Sequence, residues 1–377
     1  MYIEVIKVCI IEELKKATGE IEYQGYSYRL SSIIEVLMLG LMCRMKTLKD
    51  IHYWAASKTV RAMLKENFHI WQLPCYSHFT VMVGMIDAEE LNNIFMIFFS
   101  KLVKTVTGKT IAIDGKTICS TANMKNFESA LNIASAFVVE NGITIGQLAA
   151  DSKSNEIPIV RELIRLLDVE GSTIVADALH CQEETAKEII DAGADYVLSV
   201  KKNQPNLYED ISEMITFKQT NKCESNTSPL EKKTSIEKGH GRIDTRTAVV
   251  THDVGWLKDR CNFIGIKTIG AIITKSETRC YISSRSLSPD ELLTITRQEW
   301  AVESMHWQLD VLFDEDITTL RERNTQLVLN ILRKAVLNVL KTYRDKYEPK
   351  LNMVDITRKC LHDTDILIDV LGKFEKC

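Results

Sequence analysis

Two runs of branched apolar residues end in an aspartate. TIAIDGKT, Thr110 to Thr117, sets Asp114 after Ile111, Ala112 and Ile113 and before a glycine and a lysine; STIVADAL, Ser172 to Leu179, repeats the arrangement at Asp177. A carboxylate at the end of a buried strand is costly unless it is hydrogen-bonded or bound to a cation. Sites in α/β folds gather at such strand ends. Asp-Gly is also a common turn pair, so a capping role is the bland reading of Asp114 alone. Two strands that both close in an acid favour a shared purpose. The third acid is Glu303, in TRQEWAVESMHWQLDVLFDED. On a helix Glu299, Glu303, Trp307 and Asp310 share one face. Glu303 has Val302, His306 and Trp307 around it and reads as lying off the solvated stripe, whereas Glu299 reads as the exposed member of an acid pair. Oxygen donors of this kind suit Mg²⁺ or Mn²⁺. Two such ions about 4 Å apart can activate an attacking water or hydroxyl and stabilise the leaving oxygen of a phosphodiester.

These acids need a rigid mount. TIAID, ASAFVV and ITIGQLAA read as strands, the last two joined through Glu140-Asn141-Gly142, a strong hairpin signal. EIPIVRELIRLLDV follows as a helix, STIVADAL as a strand, CQEETAKEIIDAG as a helix closed by Gly193, and DYVLSVK as a strand. Three strands followed by alternating helix and strand predict an α/β (α+β) fold, a mixed sheet with helices packed on it.

Upstream, residues 29–107 read as helical. LSSIIEVLMLGLM and the continuous run IHYWAASKTVRAMLKENF carry apolar residues at helical spacing, and Ser77 is a candidate N-cap in LPCYSHFTVMVGMI. Residues 203–286 are polar and turn-rich, then strand-like in TAVVTH, NFIGIKTI and TRCYISS, as expected of a β-rich insertion. The end is helical again, with QLVLNILRKAVLNVLKTY forming one broad apolar stripe. The division that follows is a helical domain at 1–107, a catalytic domain at 108–345 holding the insertion, and a helical tail at 346–377.

The chain has 377 residues, 45% hydrophobic and 26% charged, with a formal charge of −4 that argues against a simple nucleic-acid binder. Ten cysteines form no CxxC pair, and Cys75 with His78 lacks a second half-site, so buried reduced thiols are expected. No apolar run reaches the roughly 20 residues of a bilayer span, and the first residues lack a cleavage-site pattern. A cytoplasmic protein is expected, with no membrane partner.

Seven blocks, in order, carry a resemblance: IAIDGKT; SAF with GQ and KSNEIP; ADALHCQ; GADYVLSVKKNQPNLYEDI; GHGRIDTR; YISS; and WAVESMHWQLDVLFDED. Across nearly its whole length the chain resembles the DDE transposases of bacterial insertion sequences, specifically the ISAs-type, H-repeat-associated group. The resemblance implies an RNase H-like core, with Asp114, Asp177 and Glu303 on the three catalytic, metal-holding positions. It further implies Mg²⁺ (or Mn²⁺) as cofactor, and double-stranded DNA, both element ends and target, as partner. Cleavage at the ends followed by strand transfer would be the activity, in a homodimer or larger assembly that brings two ends together.

Lys116 would then stand near the anionic substrate. Lys201, Lys202, Asn203 and Gln204 follow a strand at the acids' end of the sheet and suit phosphate contacts. His240 and Arg242 form a compact basic loop around Gly241, and Arg297 could reach DNA or pair with an acid. Trp300 and Trp307 read as core packing ahead of the alternative, base-stacking platforms, and His306 as a hydrogen-bonded core histidine. The chain departs from the family pattern at Ile118, Cys119 and Ser120 after the DGKT block, at Glu299 in place of His and at Ser304 in place of Asn. It departs again at Cys75, His78 and Val81. The departures around Glu303 support a rival, a catalytically degenerate or domesticated relative that binds DNA without cutting it. Ala112 argues against a haloacid-dehalogenase-type phosphatase, because it stands where the nucleophilic aspartate belongs.

Overall fold

The computed structural model describes residues 28–122, 130–150, 156–220, 230–239, 242–317 and 320–374, together with Glu13. Its frame is a nine-stranded sheet in the order β3-β2-β1-β4-β5-β9-β8-β7-β6. The strands are β1 (Thr110–Ile118), β2 (Leu131–Val138), β3 (Ile143–Ala150), β4 (Thr173–Ala176), β5 (Asp195–Val200), β6 (Glu231–Gly239), β7 (Arg242–Thr251), β8 (Thr268–Ile273) and β9 (Thr278–Ser283). Strands β1, β4 and β5 run parallel, and every other neighbouring pair is antiparallel. The order 3-2-1-4-5, with β1 to β3 as an antiparallel meander, is the ribonuclease H arrangement that the family resemblance implies. Gly142, at φ +65°, makes the β2–β3 turn that Asn-Gly signals.

Strands β6 to β9 continue this same sheet, because β9 adds antiparallel to β5 from Val197↔Ser283 onward. Two elements here depart from the sequence reading. EKKTSIEKG, within the stretch read as turns, is strand β6, and Pro205–Thr220 is a helix, α8. NFIGIKTI becomes strand only from Thr268.

Five helices precede the sheet: α1 (Leu30–Met42), α2 (Leu48–Ala56), α3 (Lys58–Phe68), α4 (Tyr76–Gly84) and α5 (Ala88–Val103). The run read as one helix breaks at Ser57, whose backbone is extended. Helix α2 opens on a capping box between Thr47 and Asp50. Cys75, not Ser77, occupies the N-cap of α4 and makes no side-chain cap bond. Helix α5 covers the edge strand β3, where Asn92 Nδ2 donates to the Gln147 carbonyl at 2.9 Å.

Helices α6 (Glu156–Leu166) and α7 (Glu183–Asp191) lie between the core strands, and α9 (Pro289–Gln298) and α10 (Ala301–Phe313) follow β9. Helix α11 (Arg323–Tyr347) is buried without interruption from Val328 to Leu340, and α12 (Met353–His362) and α13 (Thr364–Phe374) close the fold. A helix enclosed on every side must find partners for its polar groups. Asn338 bonds both backbone groups of Thr144, at 3.0 and 2.9 Å. Lys334 Nζ donates to Ser135 Oγ at 2.7 Å, Arg333 Nη2 to the Lys46 carbonyl at 3.3 Å, and Asn330 Nδ2 to Glu315 at 2.8 Å. One apolar core runs from α1 through the sheet to α13. Each fully buried phenylalanine in it, such as Phe79 or Phe95, contributes roughly 1.5–3 kcal/mol. Among the described residues, no helix is long and apolar enough to cross a membrane.

Candidate active site

Strand β1 does not stop at Asp114. It stays paired with β2 through Ile118, with Asp114 opposite Ser135. What ends there is the ladder to β4, whose last pair is Ile113↔Ala176. The next residue on each of these two in-register strands is an aspartate, Asp114 on one and Asp177 on the other. Side chains on a parallel pair alternate together, so both acids leave the same face of the sheet. Beyond Ala176 the second chain turns into the 3₁₀ segment Ala178–His180, and Asp177 Oδ1 accepts from the Leu179 amide at 3.0 Å. Asp177 therefore caps a turn while facing Asp114. Burial first, and Asp177 second, push the Asp114 carboxyl up to about 6; Glu156 adds to this, while the Gly115 amide and His180 oppose it.

Behind Asp114 lies a carboxylate that the sequence reading passed over. Gly115, the second residue of a common turn pair, instead continues the ladder opposite Ala134. A Cβ at Gly115 would lie 2.3 Å from Glu156 Oε1, so glycine makes room for a buried acid. The same oxygen stands 3.3 Å from Nε2 of the fully buried His180, close but not aligned as a hydrogen bond. Glu156 opens an amphipathic helix, where an acid is ordinary, and only its place in the KSNEIP block hinted at more.

Helix α10 covers the polar face of β1. His306 Nδ1 is 3.6 Å from Asp114 Oδ2, and burial, with Lys334 and Lys116 adding, pushes the imidazole pKa down to about 3. The ring beside the acid is neutral, and its Nε2 has no hydrogen-bond partner among the described residues. Lys116, expected to face substrate, is turned inward. Its ammonium lies 2.5 Å from Asp310, 3.1 Å from Glu315 and 3.5 Å from Asp316, tying α10 and the turn after it to β1. Such a desolvated network holds geometry more than it adds stability.

The helix carrying Glu303 is not continuous with Glu299. Helix α9 ends at Gln298, fastened to β1 where Thr110 Oγ1 donates to Gln298 Oε1 at 2.8 Å, and α10 begins at Ala301. Glu303, expected among apolar neighbours, is exposed in the first turn of α10. Glu299 is the enclosed one: burial first and Asp177 second push its carboxyl up to about 7, with Glu303 adding and Arg279 and Lys201 opposing. Among the described residues, no three His, Cys, Asp or Glu side chains gather closely enough to hold one ion.

Lys201 and Lys202 are exposed, and Lys201 is within electrostatic reach of Glu299. The amides beside them grip protein. Asn203 Nδ2 donates to the Ala178 carbonyl at 2.5 Å and Gln204 Nε2 to that of Cys181 at 3.0 Å, fixing the segment after Asp177. His240 lies outside the described residues, as does the side chain of Arg242. Arg297 pairs with Glu237 of β6, the second of the two roles expected for it. Trp300 and Trp307, read as core, are 50% and 64% exposed.

Residues 106–339, more than half of the chain, match the family described as "Transposase DDE domain". "Putative transposase YncI" of Escherichia coli O157:H7 is 31% identical over 280 residues, 70% of this chain and 70% of its own. "H repeat-associated putative transposase YhhI" of Escherichia coli (strain K12) is 29% identical over 317 residues, 80% of this chain and 81% of its own. A chain of the cryo-EM structure of the piggyBac transposase synaptic complex with hairpin DNA aligns with 99% of this chain and 80% of its own, at a TM-score of 0.48 and 12% identity.

Proposed function

This chain belongs to the transposases that carry the DDE domain, and from that premise we propose that it cuts DNA at the ends of its own mobile element and joins the freed 3′-hydroxyl to a target. Asp114, Asp177 and Glu303 would hold the divalent cations, Mg²⁺ or Mn²⁺. The observation that carries this reading is the side-by-side placement of Asp114 and Asp177 at the end of the β1–β4 ladder. The donor set fits a hard cation: oxygen ligands, and a buried carboxyl whose proton affinity its acidic neighbours raise. Bound there, the cations would activate the attacking oxygen and stabilise the leaving one.

The protein's own residues supply position. The β2 ladder holds the backbone of Asp114, Glu156 fills the space beside Gly115, and neutral His306 crowds Asp114 without cancelling its charge. Asn203 and Gln204 fix the turn of Asp177, leaving Lys201 and Lys202 free to meet the phosphate backbone. On this reading, residues 108–345 are the catalytic domain, between the helical residues 1–107 and the tail 346–377. His240 and Arg242 in the insertion 203–286 contribute DNA contacts, Arg297 is held by Glu237, and two copies of the chain bring two ends together.

The test is a supercoiled plasmid bearing the repeats that flank the reading frame, incubated with Mg²⁺ or Mn²⁺. Asp177→Asn should reduce nicking on the order of a thousand-fold while gel-shift binding persists; nicking at the wild-type rate would refute the assignment. The substitutions beside Glu303, Glu299 and Ser304, favour one rival, the non-cutting relative. Wild-type binding without nicking in Mn²⁺ would decide for it.

A further inference from the structure

Helix α5 covers β3 with one face and turns another to solvent. Glu90, Ile94, Ile97, Lys101 and Lys104 recur every three or four residues along it and so form one ridge. Beside the ridge runs a groove of about 960 Å³, whose other wall is the link from Leu166 to Gly171 between α6 and β4. Ile97 and Leu166, each 56% exposed, put apolar surface on both walls. The rim is charged. Lys101 and Lys104 stand at one end of α5, Glu90 at the other, and Asp168 and Glu170 on the facing link. Among the described residues, none of these five side chains forms an ion pair. Three acids against two lysines argue against a polyanion as the occupant.

The order of the charges selects the partner. Glu90 and Lys104 stand about two turns to either side of Ile97. A second α5 laid antiparallel across Ile97 therefore brings Glu90 of each copy to Lys104 of the other, with the two isoleucines on the two-fold axis. Lys104 also holds a strained backbone, at φ +64° and ψ −56°, in a tight turn closed from the Thr105 amide to the Val103 carbonyl at 2.8 Å. A glycine would avoid that strain, which points to a use for the ammonium.

We propose that this face is where two copies of the chain dock, α5 against α5, across the groove of each. Gly108 N donates to the Gly171 carbonyl at 2.8 Å, so the groove lies where the chain enters β1 and β4. Asp114 and Asp177 stand at the other end of that ladder, roughly 13 Å along it, and a copy docked at the groove leaves them open. In giving a face to the two-copy assembly this rests on that part of the proposed function, while the contact itself needs no DNA.

Sedimentation velocity of the full chain without DNA, from about 1 to about 100 µM, reads the contact, since an interface built on one helix pair should assemble in the micromolar range. Wild type should pass from monomer to dimer across that range. Ile97→Glu should weaken the dimer on the order of a hundred-fold and leave the melting temperature unchanged, because the residue is exposed. Glu90→Lys and Lys104→Glu should each weaken it about ten-fold by setting like charges opposite each other. The chain with both exchanges should recover the wild-type affinity, and a mixture of the two single variants should form the heterodimer ahead of either homodimer. A double exchange no tighter than the singles overturns the antiparallel docking. So does a dimer that Ile97→Glu leaves intact. A wild-type protein that stays monomeric yet nicks the plasmid overturns this face alone, and a dimer that these variants disrupt but that never nicks keeps the face and overturns the cutting.

Discussion

Strand β2 buries all eight of its residues, whereas β6, in the same sheet, turns Glu231 to Thr234 and Ile236 to solvent. The inner half, β1 to β5, is packed by α6 and α7 on one face and by α10 and α11 on the other. The outer half carries charged side chains, with α9 over one face and α8 packed on β8 and β9, where Ser212 meets Cys280. Asp114 belongs to the first environment and Arg246 to the second. Under the proposed function the difference separates two requirements: carboxylates that would hold cations need fixed positions, and a surface that would meet a long polyanion needs accessible charge.

The sharpest way to break this comparison is to titrate the inner half. Lys334 is fully buried, and burial first, with Lys116 adding and Glu315 opposing, pushes its pKa down to about 7, whereas an unfolded lysine titrates near 10.4. Between those values the unfolded chain binds the extra proton, so stability rises with pH and is least below about 7. Denaturation followed from about pH 7 to pH 9.5 should show a gain on the order of 3 kcal/mol in wild type that Lys334→Met lacks. Equal slopes in the two proteins would mean that the inner half is not dry.

Gly115→Ala probes the wedge behind Asp114. The added methyl would meet a carboxylate oxygen at 2.3 Å, with a buried side chain that has little room to move. A loss of about 1–3 kcal/mol in stability is expected, with nicking reduced on the order of a hundred-fold through displacement of Asp114. Adding Glu156→Ala should return part of the stability. A Gly115→Ala protein with the wild-type melting temperature and rate would remove Glu156 from the account of the site.

The smallest effect belongs to the outer strand. Ile236 is 66% exposed, so Ile236→Thr should change stability by less than about 0.5 kcal/mol in thermal denaturation. A larger loss would show that this face is covered in solution, and the contrast between the halves would narrow.

Much of the inner half could be read from residues alone. Its strands are continuous apolar runs, and the turn at Asn141-Gly142 has a local signal that few alternatives share. The convergence of Asp114 and Asp177 was legible because each follows a strand, although β1 proved to run on past its acid. Strand β6 was not legible: an exposed strand has no apolar alternation to betray it, and charges suit an edge as well as a loop. Glu156 stayed hidden for a related reason, since an acid in a first helical turn is favoured by the helix itself. Glu299 and Glu303 exchanged environments because a helix break at Trp300 altered the face that continuous periodicity would have given.

Helix α11 comes late in the chain, yet strands β2 and β3 rest on it through Ser135 and Thr144. A gene copy interrupted before Arg323 would still spell out every acid discussed above and would lack the support that seats them. As mobile elements decay, catalytic silence should therefore arrive well before the acidic signature fades. In a shortened relative, an intact set of acids is no guide to whether it still moves.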